Sequence, residues 1–178
     1  MKKYVFKNWF HSIENIVLFV LLSSGCTSQN GIKETESGSV KHFEGRNISF
    51  DAPNTWYSGI LKNSSGYLFS IYTPPTENNS YTIDFYAGYS NKTLFEAINP
   101  FRNEVINANW TIISEKELTV DGFPAYQMEV LNQNGTLIST FVVKNGVVYG
   151  IYAIPRPNSN LTLIEGDLDV VLNTFHIL

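Results

Sequence analysis

The 178-residue chain has one cysteine and three histidines, so it lacks the residues on which many catalytic and metal sites depend. A single cysteine cannot form an internal disulfide, and zinc usually takes several His or Cys ligands. Beyond the first 25 residues only His42 and His176 remain, and neither lies in a motif that would pair it with a nucleophile. We therefore expect no metal site, no cofactor and no nucleophile–histidine catalysis.

Basic residues are also few, with 12 Lys and Arg against 16 Asp and Glu. If residues 1–25 are removed, nine basic and fifteen acidic residues are left and the net charge falls to −6. A negative domain is a poor ligand for nucleic acid and is not held to anionic lipid by charge. The composition argues against a nucleic-acid partner and against an electrostatic hold on anionic lipid.

Long apolar runs are absent, and the longest candidate is the short N-terminal segment Ile16–Leu22. Three lysines within the first seven residues precede it, and the small residues Ser23–Gly25 follow it. A spanning helix needs about 20 apolar residues, whereas this order of features is typical of a secretory signal. We predict a signal peptide over residues 1–25.

The stretch Leu21–Cys26 resembles the lipobox of prokaryotic lipoproteins. In a lipobox, cleavage before the cysteine leaves a thiol that receives diacylglycerol. The polar neighbours of Cys26 offer no core in which a cysteine could be buried. We expect Cys26 to be lipidated, with a plain cleaved signal or an uncleaved anchor as the alternatives.

Residues 26–42 are predicted to form a polar tether, because the stretch is rich in Ser, Thr, Gly and charge. A flexible coil of this length has an r.m.s. reach of roughly 20 Å. Residues 43–178 have the size of one ordinary domain. The predicted organisation is a lipoprotein signal peptide, a lipid-anchored tether and one domain.

Alternation of apolar and polar residues predicts half-buried strands at 47–52, 81–85 and 126–130, with Asp84 on the polar side of the second. Val147–Ile154 is apolar at nearly every position, as expected of a central strand covered on both faces, and the preceding Asn145-Gly146 favours a hairpin. The four strands between the two predicted helices are placed near 110–119, 123–131, 136–144 and 147–154.

Helical spacing is present at 94–105 and 164–175. The Thr-x-x-Glu boxes that begin at Thr93 and Thr162 predict where the two helices start. Pro100 should kink the first helix or split it after Asn99. The order of elements predicts an α+β fold with an antiparallel β-sheet flanked by helices.

The chain resembles the PsbP-like, or PsbP-related, domain family. The resemblance rests on Asn47-Ile48-Ser49-Phe50-Asp51-Ala52-Pro53-x-x-Trp56, Asp121-Gly122-Phe123-Pro124-Ala125-Tyr126, Lys144-Asn145-Gly146-x-x-Tyr149 and Val170-Val171-Leu172-Asn173-Thr174-Phe175. It implies a PsbP-like α/β/α sandwich and a prokaryotic, archaeal lipoprotein member. Plant members are lumenal subunits associated with photosystem II, but nothing here matches residues for docking onto that complex. We interpret the aromatic and Gly motif positions as structural.

Asn-x-Ser/Thr triplets without proline, the acceptor pattern for N-glycans, occur more often than chance predicts. They begin at Asn47, Asn63, Asn78, Asn91, Asn109, Asn134 and Asn160. Helix capping already accounts for Thr93 and Thr162, and Asn47 begins a predicted strand. A lipobox combined with these triplets favours an archaeal cell surface.

Two further groups of side chains are candidate sites. Glu165, Asp167 and Asp169 form an acidic helix start, which we interpret as solvated, with a weak divalent-cation site as the alternative. Tyrosines are abundant, and a stripe around Tyr86 and Tyr89 is a possible recognition surface. Packing in half-buried strands is the alternative role for these rings.

We expect a non-catalytic binding or accessory module of a membrane or cell-envelope complex, lipid-anchored on the external face of the cell membrane, with a protein or glycan partner. The alternatives are an extracytoplasmic hydrolase that uses a carboxylate pair and a lipid-tethered solute-binding domain. A wide cleft with two convergent acids would favour the hydrolase, and a closed apolar pocket would favour the solute binder. A flat tyrosine patch would favour the accessory module.

Overall fold

A computed structural model describes residues 32–59, 66–74, 80–133, 135–155 and 161–178, and these residues form eleven strands and two helices. The strands are β1 (Ile32–Ser37), β2 (Val40–Gly45), β3 (Ile48–Pro53), β4 (Tyr57–Gly59), β5 (Tyr67–Tyr72), β6 (Tyr81–Tyr89), β7 (Thr111–Val120), β8 (Phe123–Asn132), β9 (Gly135–Lys144), β10 (Val147–Pro155) and β11 (His176–Ile177). The helices are α1 (Leu94–Asn107) and α2 (Leu161–Thr174). Within these ranges no helix is long and apolar enough to cross a membrane.

The strands form two antiparallel sheets. The larger has seven strands in the order β4-β5-β6-β10-β9-β8-β7, and the smaller has four in the order β1-β2-β3-β11. β10 is the middle strand of the larger sheet, as its continuous apolar sequence predicts. The α+β class and the antiparallel pairing are confirmed.

Two tight hairpins set the register of the larger sheet. Asn145 and Gly146 have φ of 51° and 73° between β9 and β10, and Asp121 and Gly122 have φ of 52° and 76° between β7 and β8. Positive φ at both central residues is the signature of the type I′ turn, whose twist matches that of the flanking strands. The hairpin predicted at Asn145-Gly146 is confirmed.

The two faces of the larger sheet are covered differently. On one face α1 buries Ile98, Phe101 and Val105, and the Phe101 ring lies 5.3 Å from that of Phe141. The other face packs against both α2 and the four-stranded sheet in one aromatic-rich core. The predicted sandwich of helices on both faces is therefore only roughly right, because a second sheet shares one layer with α2.

Phe50 lies at the centre of that core and is fully buried. Its ring stacks on four others, with centroid distances of 4.5 Å to Phe85, 5.3 Å to Phe43, 5.6 Å to Phe69 and 6.4 Å to Phe175. These rings come from both sheets and from the C-terminal segment. Phe50 thus joins the two sheets through apolar packing.

The domain begins earlier than the sequence suggests. Residues 32–42, placed above in the polar tether, form β1 and the first half of β2. β1 exposes every residue except Ile32, so it is held by backbone pairing with β2 and not by an apolar stripe. Lys41 is only 9% exposed and donates a hydrogen bond to the carbonyl of Trp56 at 2.8 Å. The predicted tether is wrong over these residues.

The helix predictions are confirmed with two corrections. Thr93 is the N-cap of α1, and a reciprocal capping box with Glu96 is present. The helix continues through Pro100 to Asn107, so the predicted split after Asn99 does not occur; buried side chains on both sides of Pro100 hold it to the sheet. α2 already begins at Leu161, so Thr162 lies inside the helix and is not its N-cap.

Candidate functional site

A groove of about 510 Å³ lies between the first turns of α1 and the β7–β8 hairpin. It is lined by Leu94, Phe95, Ile98, Glu117, Leu118, Thr119, Pro124, Ala125 and Tyr126. Phe95 is 63% exposed, because it lies beside the apolar stripe that contains half-buried Leu94 and buried Ile98, and not on it. An exposed aromatic ring at the edge of a groove is typical of a protein-contact surface.

The charge of this groove is negative. Glu117 is its one charged lining residue, and no ion pair to it occurs within the described residues. The nearby Arg102 is already engaged, because its guanidinium lies 2.7 Å from Glu115 and donates to the Tyr126 hydroxyl at 3.0 Å. An occupant with a basic side chain would therefore suit the groove better than an acidic one.

One wall of the groove is an edge strand. In the described part of the chain β7 pairs only with β8, so its other edge presents backbone donors and acceptors outward. A bulge interrupts the pairing between Ile112 and Ser114, whereas Ser114–Val120 pairs regularly. The regular part of the edge is the part beside the groove. An added strand could pair there.

A row of buried polar side chains crosses the larger sheet on the face that α1 covers. Ser70, Asp84, Tyr152 and Ser139 stand opposite one another on four successive strands, β5, β6, β10 and β9. All four are at most 8% exposed. The Ser70 hydroxyl donates to the Asp84 carboxyl, whereas the Ser139 hydroxyl has no hydrogen-bond partner among the described residues. We call these four residues the polar row.

The polar row contains a carboxyl group that holds its proton unusually well. Burial raises the pKa of Asp84 to about 6, and the hydrogen bond from Ser70 opposes part of that rise. Burial also raises the pKa of Tyr152, with further contributions from Tyr86, Glu104 and Asp84. Perturbed groups of this kind are more frequent at functional sites, although structural networks also produce them. The alternation pattern had put Asp84 on a polar face, and the structure buries it.

The tyrosine stripe needs correction. Tyr86 and Tyr89 are three residues apart in β6, so their side chains point to opposite faces of the sheet. Tyr86 is half-buried and packs edge-on against Tyr152 at 5.5 Å, whereas Tyr89 is 97% exposed. They do not form one surface, and only Tyr89 is available as an exposed ring.

The acids of α2 are divided between two roles. Asp167 accepts a hydrogen bond from the Tyr81 hydroxyl. Glu165 and Asp169 line a depression of about 210 Å³ together with Lys116 and Gln127. Both acids come from one wall, four residues apart on one helix, whereas glycosidase carboxylates face each other across a cleft. No cluster of three or more metal-ligating side chains occurs in the described ranges.

Both histidines of the described residues are paired with carboxylates. His42 Nδ1 lies 2.7 Å from Asp51 Oδ1, and His176 Nδ1 lies 2.9 Å from Asp121 Oδ1. Asp121 also accepts from the amide of Ile177 at 3.1 Å and from Lys144 at 3.2 Å. We call Asp121, Lys144, His176 and Ile177 the C-terminal latch, because they tie β11 to both hairpin turns.

The latch also perturbs its central carboxyl group. Partial burial raises the pKa of Asp121, but the hydrogen bonds from His176, the Ile177 amide and Lys144 outweigh it and leave the pKa below its ordinary value. These contacts are structural, since they fix the chain end to the turns.

Only three of the predicted modification sites lie in the described residues. Asn47, Asn91 and Asn109 are exposed. Cys26, Asn63, Asn78, Asn134 and Asn160 lie outside the described residues. Sequence reasoning did not identify Phe95, Glu117 or Asp84, although an aromatic residue just off a helical stripe was a signal for Phe95.

Comparison with solved structures shows what this architecture resembles. The solution structure of cyanobacterial PsbP (CyanoP) from Synechocystis sp. PCC 6803 is similar with a TM-score of 0.57 and 14% identity, over 89% of this chain and 99% of that chain. A protein from Bacteroides thetaiotaomicron VPI-5482 (TM-score 0.41, 13% identity, 74% and 45% coverage) and a Pseudomonas aeruginosa protein of unknown function (0.39, 12%, 74% and 92%) are more distant. No protein-family model and no curated protein matches the chain. The domain has the PsbP-like fold, as the sequence motifs predicted.

Proposed function

We propose that this chain is a lipid-anchored extracytoplasmic lipoprotein whose PsbP-like domain is a non-catalytic accessory module of a membrane or cell-envelope complex. The proposal combines the PsbP-like fold with the signal-like segment 1–25 that precedes Cys26. The attached lipid would hold the domain beside the external face of the cell membrane, where its partners would lie.

The observation that carries the accessory role is the groove beside the β7 edge. It combines an exposed aromatic ring, a carboxylate that has no ion pair with any described residue and a regular strand edge within one surface. Aromatic anchors are enriched among interface residues that contribute most of the binding energy. A strand edge adds backbone hydrogen bonds to such an anchor.

We propose that the occupant is an extended segment of a partner protein that carries a basic side chain. Extended pairing along Ser114–Val120 would place every second partner side chain over the groove, since side chains alternate along a strand. A basic residue there would meet Glu117, and an apolar residue would meet Phe95. The overall negative charge of the chain favours a partner of opposite charge in the same way.

The anchor is tested by detergent-phase partitioning of the full chain and its Cys26→Ser variant from the native host. The unsubstituted chain should enter the detergent phase and yield an N-terminal peptide that starts at diacylglyceryl-modified Cys26. The variant should remain in the aqueous phase. An N-terminus elsewhere with an unmodified Cys26 would contradict the lipoprotein part of the proposal.

The groove is tested by site-specific photo-cross-linking in native membranes, with the cross-linker at Phe95 or, as a matched control, at Ile106. Ile106 is also exposed, at 58%, but lies at the far end of the same helix. Position 95 should give a cross-link to a partner segment with alternating apolar and basic residues, and Glu117→Lys should reduce its yield. Equal cross-linking from both positions, or no effect of Glu117→Lys, would argue against this surface.

A further inference from the structure

Three of the seven N-glycan acceptor triplets lie in the described residues, and the fold treats them differently. Transfer of a glycan needs an exposed Asn amide and access to the hydroxyl two residues later. The asparagines of all three triplets are exposed. Whether a transferase can use each triplet therefore depends on its hydroxyl residue, which is Ser49, Thr93 or Thr111.

In the Asn47 triplet the hydroxyl residue is buried. Ile48 is 0% and Ser49 is 5% exposed, so two of the three residues lie in the core. Ser49 is paired on both sides, with Glu44 of β2 and His176 of β11. A transferase could reach this triplet only after β3 leaves the sheet.

In the Asn91 triplet the hydroxyl group is already used. The Thr93 hydroxyl accepts from the Glu96 amide at 3.4 Å and lies 3.0 Å from Glu96 Oε2. The Thr93 amide donates to the same carboxylate at 3.0 Å. Presenting this triplet to an enzyme would open the capping box that begins α1.

The Asn109 triplet has neither obstacle. Asn109 follows the C-cap residue Ala108 and has a left-handed backbone conformation, with φ of 55°. The backbone amide of Asn109 donates to the Ile106 carbonyl at 3.1 Å, which leaves its side-chain amide out of this contact. Its side chain is exposed, and so is Thr111 at the start of the edge strand β7. Both groups that a transferase needs are therefore accessible in the folded domain.

We infer that, of these three triplets, Asn109 is the site of N-glycosylation. The donor would be a lipid-linked oligosaccharide. A bond forms between Asn109 Nδ2 and the anomeric carbon, the bond from that carbon to the lipid phosphate breaks with its electron pair on the phosphate, and the amide proton passes to a base of the transferase. The inference rests on the export that the proposed function includes.

The position of Asn109 is compatible with the groove. Phe95 lies in the first turn of α1 and Asn109 follows its last, so at 1.5 Å per residue the two are roughly 20 Å apart along the helix. A glycan at Asn109 therefore extends from the opposite end of α1. It would leave the surface around Phe95 open to a partner.

The test is peptide-level mass spectrometry of the full chain from native membranes. The peptide that contains Asn109 should carry a glycan, and Asn109→Gln should remove one glycan mass from the intact protein. Thr111→Val should remove the same mass while keeping Asn109 and a β-branched residue in the strand. Asn47→Gln and Asn91→Gln should leave the intact glycan mass unchanged.

An unmodified Asn109 peptide would overturn the inference, and a glycan on Asn47 or Asn91 would contradict the selection of Asn109 among the three triplets. The N-terminal peptide from the same digest separates this failure from failure of the proposed function. A lipidated Cys26 with an unmodified Asn109 leaves the lipoprotein proposal standing. An unprocessed N-terminus with an unmodified Asn109 removes both.

Discussion

Replacing Asp84 by Asn should change the pH dependence of stability in a specific direction. Asp84 is 8% exposed in the polar row, and its pKa is raised to about 6, whereas an unfolded Asp has a pKa of about 3.9. Below about pH 4 the carboxyl is protonated in both states and has no effect. As pH rises from about 4 to 6, only the unfolded chain loses the proton, so the folded state loses stability.

The magnitude follows from the two pKa values. One pKa unit corresponds to about 1.4 kcal/mol, so a difference of about two units makes the folded state about 2–3 kcal/mol less stable at pH 7 than at pH 4, where the unfolded carboxyl is already partly ionised. Asn cannot ionise but retains an oxygen that can accept from the Ser70 hydroxyl. Its added NH₂ group needs a partner of its own, and an unpaired one costs about 1–3 kcal/mol at every pH.

The assay is urea unfolding at pH 4, 5, 6 and 7, followed by tryptophan fluorescence, with buried Trp56 as a reporter. The stability of Asp84→Asn relative to the unsubstituted protein should rise by about 2–3 kcal/mol between pH 4 and pH 7. The exposed Asp169→Asn is the matched control for the removal of one carboxyl group from the chain. A relative stability of Asp84→Asn that is constant with pH, or falls as pH rises, would refute the reasoning.

Two further changes test the packing and the latch. Phe50→Ala should lower the free energy of unfolding by about 3–5 kcal/mol, because Phe50 is fully buried among four rings; a loss under 1 kcal/mol in urea titration would mean that these rings repack. Asp121→Asn should cost about 1–3 kcal/mol at pH 7, because Asn tolerates the left-handed turn but loses the charge that Lys144 and His176 contact. Since the pKa of Asp121 is lowered, this stabilisation is present above the ordinary pKa and is lost as pH falls through the folded value; an Asp121→Asn effect that persists undiminished at pH 2 would contradict it.

Most of the fold could be predicted from the sequence because it depends on local rules. The hairpin at Asn145-Gly146 and the central position of β10 follow from turn chemistry and continuous apolar sequence. The first strand could not be found this way, since only Ile32 of β1 is buried and the pairing of its backbone has no signature in composition. An edge strand that is polar on both faces has the composition of a linker, so its side chains alone do not predict a strand.

The site was less predictable, for reasons that differ by residue. The separation of Tyr86 from Tyr89 follows from the two-residue period of a strand, so the sequence alone could have excluded a shared stripe. The burial of Asp84 depends on what packs over β6 and could not be inferred from alternation within that strand. Glu117 is notable only because the Arg102 nearby is used by Glu115, which is a tertiary fact.

The PsbP-like motifs contain residues that hold this domain together, but not the two residues that give the groove its aromatic ring and its charge. Asp121 and Lys144 belong to two of them, and both lie in the latch that fixes the C-terminus to the hairpin turns. Tyr126, from the same motif as Asp121, contributes to the groove, but Phe95 and Glu117, which supply its aromatic ring and its charge, lie outside every motif. A chain can therefore keep the residues that specify this fold while changing those that select a partner. For this reason a structural likeness at 14% identity extends to the fold alone, and the partner that we propose is to be sought through the groove of this chain.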